Sequence, residues 1–376
     1  MALAIVIDKS LIVTAIVFFI LCIASSYKKL FPAFENSYKI LFTFLPFYIV
    51  SGLSLWQTSS THEGMFDLEV KFSLMLFPIL FFFLNSKKIN YKLIHTTFII
   101  GCATYLLFCI TCAGYHYIST DDNSHFFYAS LTKFHPSYYA MYICFAFGAM
   151  WLLDIFKIFL KIALSVLMLL ALVLLSSKSG ILSIVLLLLF LLYHFVVGKN
   201  QKFTYCIVGL LLIFFGLMVT FKSSVSRINQ ALTAVTTHDS QPAKMESTSV
   251  RLALWKYCCM SIKSDFWKGV GAGDVNMIIN KKLNDGGVHL PNQLNCHNQY
   301  FQVFCGLGLV GFISFMVPFI YFLFVYYQNG NTLSFVFILL IGFNFLFESM
   351  LETQAGVVFT AFFMSLFFHE YQQARR

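Results

Sequence analysis

Long apolar runs alternate with short polar links along almost the whole chain. Runs near the roughly 20 residues that a helix needs to cross a bilayer fall at 10–26, 39–56, 68–84, 93–113, 136–154, 158–176, 180–197, 203–221, 300–326, 331–348 and 354–370. The pattern predicts an all-α polytopic membrane protein with about eleven to twelve transmembrane helices, each satisfying its own backbone polar groups. One long interruption divides the chain into N-terminal spans (1–221), a large loop (222–297) and C-terminal spans (298–376). The first run follows Asp8 and Lys9 and lacks a small-residue cleavage site, so it reads as a retained span. The loop opens polar (SSVSRINQ, then TTHDSQPAKMESTS) and then becomes patterned. Across Ser247–Ser264, Val250, Leu254, Tyr257, Cys258 and Ser261 share one face, with Leu252, Trp255 and Met260 beside it. That spacing predicts an amphipathic helix at a membrane interface, capped by Ser247 or Ser249. FWKGVGAGD follows. Its glycines lack the spacing of a phosphate-binding loop and read as a tight turn that permits close approach.

Composition supports the membrane reading. Hydrophobic residues are 59% of the chain and charged residues 11%, against about 25% charged in a soluble domain. The net charge of +9 is then a topology signal, and no nucleic-acid partner is implied. Lys28, Lys29, Lys39, Lys87, Lys88, Lys92, Lys157, Lys161, Lys199, Lys202, Arg375 and Arg376 fall on one set of links, which the positive-inside rule makes cytoplasmic. The C-terminus is then inside, and an odd count of spans puts the N-terminus outside. The opposite face receives 57–67, 114–135, 177–180, 222–297 and 349–353. Most of the ten cysteines, Cys305 among them, lie in or beside apolar runs and read as small hydrophobes. Cys109 and Cys112 form a CxxC without a second pair or a histidine cluster, so no zinc site is expected. In the loop, adjacent Cys258 and Cys259 are poorly placed to bridge each other, which leaves a bridge from one of them to Cys296 open.

The stretch Leu290–Phe312, LPNQLNCHNQYFQVFCGLGLVGF, passes from a polar loop to an apolar helix at His297, Asn298 and Gln299. An imidazole there can take a proton from a hydroxyl near neutral pH; alternatively, Asn298 and Gln299 cap the helix and His297 is an interfacial anchor. Lys178 in LLSSKSGIL either snorkels or meets an anion. Arg251 either forks onto a phosphate or holds its helix against lipid headgroups. His135 in FHPSYYAMY, near His125, and Glu348 and Glu352 in FESMLETQAG are individually ordinary caps or interfacial residues. Together, His135, Lys178, Arg251, His297 and Glu348 all map to the outer face. Two cations, an imidazole and a carboxylate fit a lipid donor bearing a pyrophosphate and an acceptor bearing a hydroxyl. No DxD-like carboxylate pair is present, so neither a metal nor another cofactor is implied.

With these motifs the second half of the chain resembles the O-antigen ligase superfamily, which includes lipopolysaccharide O-antigen ligases, O-antigen polymerases and protein O-oligosaccharyltransferases. The resemblance rests on SSKSG, on ESTSVRLALW followed by FWKGVGAGD, and above all on HNQYFQVFCGLGLVGF. HPSYYAMY and ESMLETQAG look like the version found in Bacteroidetes. The resemblance implies a GT-C-like, metal-independent, inverting membrane glycosyltransferase. It would take a glycan from undecaprenyl pyrophosphate at the periplasmic face of the inner membrane and pass it to an acceptor hydroxyl, above all a sugar of lipid A-core. Membrane lipids would surround it. By position, His297 matches the family's base and Arg251 the loop arginine that binds the diphosphate. Lys178 stands where arginine is usual, which keeps the charge but loses the planar fork. A polymerase of the same superfamily is the nearest alternative. A lipid or solute transporter is another; it would favour paired halves and broken helices, whereas these spans read as uninterrupted. A non-catalytic envelope assembly protein is the third.

Overall fold

The computed structural model describes residues 4–7, 13–17, 19–21, 43–84, 89–221, 247–288 and 292–374, with Ala2, Ser226, Asn229 and Thr233 singly. Among these residues the regular structure is helical throughout. In chain order the helices are α1 (Ala4–Ile7), α2 (Leu45–Leu53), α3 (Thr61–Lys71), α4 (Ser73–Phe82), α5 (Tyr91–Thr120), α6 (Pro136–Leu152), α7 (Ile158–Leu175), α8 (Lys178–Val197), α9 (Gln201–Thr220), α10 (Ser247–Ser264), α11 (Val275–Asp285), α12 (Gln299–Gln328), α13 (Thr332–Phe345) and α14 (Gln354–Ala374). Five of them, α5, α7, α8, α9 and α12, are long and apolar enough to cross a membrane. The chain is a polytopic all-α membrane protein, as the hydropathy pattern predicts. Much of the first predicted span, most of 222–246, and Lys28, Lys29, Lys39, Lys87, Lys88, Arg375 and Arg376 lie outside the described residues.

Two compact units divide the chain. The first comprises Met1–Ala15 and Asn90–Gln230. Its centre is α6, which starts at Pro136, where a missing N–H costs nothing, and is buried from Pro136 to Trp151. Helices α5, α7 and α8 pack around it. The SSKSG motif has a local structural explanation. Ser176 adopts a left-handed φ of 48°, and the Ser177 hydroxyl caps α8 by accepting from the Gly180 N–H at 3.3 Å. A Cβ on Gly180 would lie 2.5 Å from that of Ala140, so this glycine sets how closely α8 approaches α6. Lys161, counted above as a link residue, is instead buried in the first turn of α7; its ammonium donates to the Leu153 carbonyl at 3.2 Å and lies 5.1 Å from the Phe203 ring.

The second unit comprises Ile16–Ile89 and Ala231–Arg376. Helix α2 packs on α12 through Phe47–Phe315 and Phe44–Phe319, and α4 packs on α14 through Phe77–Phe362. Two expectations fail here. The predicted span 68–84 is two helices that part at Phe72, because THEGMFDLEVK forms a polar helix of its own. The ninth span is not continuous either: α12 is broken at Gly308, where φ is 61° and ψ −161°, a region essentially reserved for glycine.

The large loop packs into this break. The N–H groups of Val270 and Gly271 donate to the carbonyls of Cys305 and Gly306 at 2.8 and 2.9 Å, and the Leu309 N–H donates to Phe266 at 2.8 Å. The GVGAG turn thereby pairs backbone groups at the break. A Cβ on Gly308 would sit 2.4 Å from the Trp267 carbonyl oxygen. Gly308→Ala should therefore cost at least about 1–3 kcal/mol from backbone strain alone, read as a lower melting temperature in detergent; an unchanged value would mean that the loop does not pack there. Helix α10 forms over the predicted residues and buries Leu254, Cys258 and Ser261 from the predicted face. That face rests on α11 and α12, in a core with Val275, Ile279, Leu283, Cys296 and Cys305, and not on lipid.

Candidate functional site

In the second unit, α10 carries Arg251, the turn before α12 carries His297, and the segment after α13 carries Glu348. His297 has a left-handed φ of 45°, a conformation that histidine tolerates better than most residues and that is typical of strained functional positions. Several contacts fix this turn. The His297 N–H donates to Asn295 Oδ1 at 2.9 Å, the Cys296 N–H to Gln302 Oε1 at 2.9 Å, and the Trp255 indole N–H to the Cys296 carbonyl at 3.1 Å. Asn298 caps α12 by accepting from the Phe301 N–H at 3.1 Å and also donates to the Leu346 carbonyl at 3.1 Å. Its role is to fasten the turn that carries His297 to the segment that carries Glu348.

Glu348 is the hub. It is 4% exposed; its Oε1 accepts from Arg251 at 2.6 Å and its Oε2 lies 3.0 Å from His297 Nδ1. With Glu348 ionised, the second contact puts the imidazole proton on Nδ1 and leaves Nε2 as the basic nitrogen. A guanidinium has five donors, so pairing with Glu348 does not exhaust Arg251. The geometry resembles a base–orienter pair with a cation attached.

A second charged group lies deeper in the same unit. Lys71 pairs with Asp67, four residues earlier, and with Glu352 Oε1 at 3.0 Å. Gln299 also donates to Glu352 Oε1 at 3.4 Å, while its own Oε1 accepts from the Leu351 N–H at 2.6 Å. Glu352 thus belongs to the Lys71 network and not to the Glu348 hub. Burial pushes the Asp67 carboxyl up to about 8, with Glu352 adding to the rise and Lys71 opposing it. For Glu352 burial also acts upward, but Lys71 and hydrogen bonds from Asp67, Lys71 and Gln299 outweigh it and hold the carboxyl below its ordinary value. Asp67 therefore holds a proton more readily than Glu352.

The signs of these shifts set a pH dependence. Between about 4, where an unfolded aspartate titrates, and about 8 the folded state holds the extra proton on Asp67. This contribution to stability is full below that window and is lost as pH rises through it. Glu352 acts oppositely, and its contribution fades at acid pH. Asp67→Asn keeps the neutral form at every pH, so its melting temperature should fall less between pH 6 and pH 9 than that of the unmodified protein. Parallel declines would remove Asp67 as the cause.

Beside this network is a cavity of about 380 Å³ lined by Glu63, Asp67, Asn276, Asn295, Gln302 and Glu352, among others. Its carboxylates and carboxamides suit the hydroxyls of a sugar. Asn295 ties its wall to the His297 turn. Another anchor is Asp274, whose carboxylate accepts from the N–H groups of Ser59 and Ser60 at 2.7 and 2.9 Å.

The structure thus brings together Arg251, His297 and Glu348, with Asn298 as a fastener. His135 and Lys178 belong to the first unit. His135 is exposed at the start of α6, edge-on to Tyr138 at 5.9 Å; Lys178 is the half-buried first residue of α8. Sequence reasoning missed Asp67, Lys71 and Asp274. An i, i+4 Asp–Lys pair at the head of an apolar run was the available signal for the first two.

Residues 163–316 match a family model described as O-antigen ligase, and no curated protein matches the chain. Lys178, Arg251, His297 and Asn298 fall inside the match, whereas His135, Glu348 and Glu352 fall outside it. The match supports a glycosyltransferase-like role in O-antigen or polysaccharide processing.

Proposed function

We propose that this chain, whose residues 163–316 match the O-antigen ligase family model, transfers a glycan from undecaprenyl pyrophosphate to an acceptor hydroxyl at the periplasmic face of the inner membrane, with O-antigen ligation to lipid A-core as the reaction. The observation that carries this is the contact of one buried carboxylate, Glu348, with both Arg251 and His297. His297 Nε2 takes the acceptor proton as the acceptor oxygen attacks the anomeric carbon. The bond from that carbon to the pyrophosphate oxygen breaks, and the electron pair leaves with undecaprenyl pyrophosphate. Attack opposite the leaving group inverts the anomeric centre.

Glu348 holds the imidazole in the tautomer that leaves Nε2 basic and stabilises the imidazolium that forms. Arg251 offsets the negative charge that gathers on the departing diphosphate. The amide-lined cavity takes sugar hydroxyls. His135 serves as an interfacial residue at the head of α6. The broken helix does not favour a transporter, because the GVGAG backbone pairs with carbonyls at the break.

The test is transfer in vitro. Purified protein receives an undecaprenyl-pyrophosphate glycan and rough lipopolysaccharide, with EDTA and without nucleotide. A shifted lipopolysaccharide ladder, lost in Arg251→Ala, is the expected result. Lengthening of the glycan on its own carrier would make the protein a polymerase. Movement of labelled lipid across proteoliposomes, without either product, would make it a transporter.

A further inference from the structure

Cys258, Cys296 and Cys305 are all buried, and their sulfurs lie within 4.8 Å of one another. They come from three separate elements: the middle of α10, the residue before His297, and the first part of α12. Cys305 is buried in this hydrophobic core as expected, and its thiol also faces the two loop cysteines and donates to the Cys258 carbonyl at 3.5 Å. Hydrophobic side chains, Leu254, Val275, Ile279 and Leu283, surround the group.

We propose that Cys258 and Cys296 are joined by a disulfide in the mature protein, and that Cys305 remains a thiol. The two sulfurs are 3.0 Å apart. Among the described residues the group offers three ligand atoms, one short of the four that a closed structural zinc site takes. A bond between the two sulfurs requires a closure of only about 1 Å. The backbone is already held for it, since the Cys296 N–H and C=O are both engaged, by Gln302 and Trp255.

The inference rests on the proposed placement of this face in the periplasm, where disulfides form and persist. Formation is a thiol–disulfide exchange with an oxidised thiol–disulfide oxidoreductase of that compartment. Cys258 and Cys296 give up two protons and two electrons, the S–S bond forms between them, and the disulfide of the oxidoreductase is reduced to two thiols. Both residues are fully buried in the folded chain, so oxidation accompanies the docking of α10 and precedes full closure.

The bridge would act on the site. It closes a loop between positions 38 apart and joins the helix that carries Arg251 to the residue next to His297. It therefore constrains the unfolded loop and limits how far the cation and the imidazole can separate. Neither cysteine touches the substrates in this account; both are positioning residues.

The test is disulfide mapping on full-length protein from cells quenched with an alkylating agent. Without reduction, the digest should contain one peptide joining Cys258 to Cys296, with Cys305 alkylated after denaturation, and the linked peptide should disappear on reduction. The linked peptide should persist in Cys305→Ser and be lost in Cys296→Ser. Three alkylated thiols would overturn the proposal, as would one zinc per chain held with all three cysteines unlinked. A Lys263→Cys protein, probed with an impermeant maleimide in spheroplasts and in inverted vesicles, tests the compartment separately; Lys263 is an exposed residue of α10. Free thiols with labelling in spheroplasts would defeat the disulfide alone. Free thiols with labelling only in inverted vesicles would defeat the periplasmic reading as well.

Discussion

Replacing His297 should lower glycan transfer by roughly 10²–10⁴-fold, the usual contribution of a positioned general base. The substitution must be chosen with the backbone in mind. His297 sits at φ 45°, where alanine is strained and asparagine is tolerated. His297→Asn is therefore the cleaner variant, because it keeps the turn while removing the basic nitrogen. Its melting temperature should stay within a few degrees of the parent, whereas His297→Ala should lose both activity and some stability. The measurement is the initial rate of transfer at saturating donor, with folding checked by thermal unfolding in the same detergent. Transfer near the parental rate in a folded His297→Asn protein would end the case for His297 as the base.

The second large effect concerns Glu348, where two substitutions should separate two roles. Glu348→Gln is nearly isosteric. A glutamine can still accept from Arg251, but its amide would donate to His297 Nδ1 and so move the ring proton to Nε2. That tautomer cannot take a proton from the acceptor. Transfer should then fall by about 10²–10⁴-fold, the scale seen when the orienting carboxylate of a catalytic triad is neutralised, while the fold persists. Glu348→Ala removes the partner of Arg251, whose side chain is 17% exposed. Breaking a fully buried pair costs about 3–5 kcal/mol; this partly exposed arginine should cost less, about 2–3 kcal/mol. The rate of Glu348→Gln at unchanged stability gives a readout that a merely structural role would not move. A Glu348→Gln protein with an unchanged rate would show that Glu348 only holds the loop.

Much of this site was legible because its residues stand where polar segments meet apolar runs. His297, Arg251 and Glu348 each stand out there as chemistry-bearing side chains, and the 3.6-residue spacing of α10 gave its buried face. Their pairing was not legible, since Arg251–Glu348 and His297–Glu348 join positions 97 and 51 residues apart. Sequence also suggested that Arg251 faces a diphosphate directly, and the structure adds a carboxylate that shares it. Asp67 and Lys71 were hidden because the apolar run that begins at Leu68 absorbed the end of a polar helix. The break at Gly308 was hidden for a related reason: a glycine inside a helical pattern is ordinarily tolerated, and only the approach of the 269–271 backbone makes this one a boundary. Cys305 read as a small hydrophobe, and only tertiary packing sets it beside two other thiols.

The Lys71 network has a consequence in time. Lys71 and Glu352 lie 281 positions apart, and synthesis at about 5–20 residues per second separates them by roughly 15–55 s. Throughout that interval the nascent chain already holds the ammonium and Asp67, but not the carboxylate that completes the group. The second unit therefore cannot finish assembling as it emerges. Its early helices wait for the segment that ends at Glu352, and a ribosome stalled before codon 352 would leave an intermediate with an incomplete charge group.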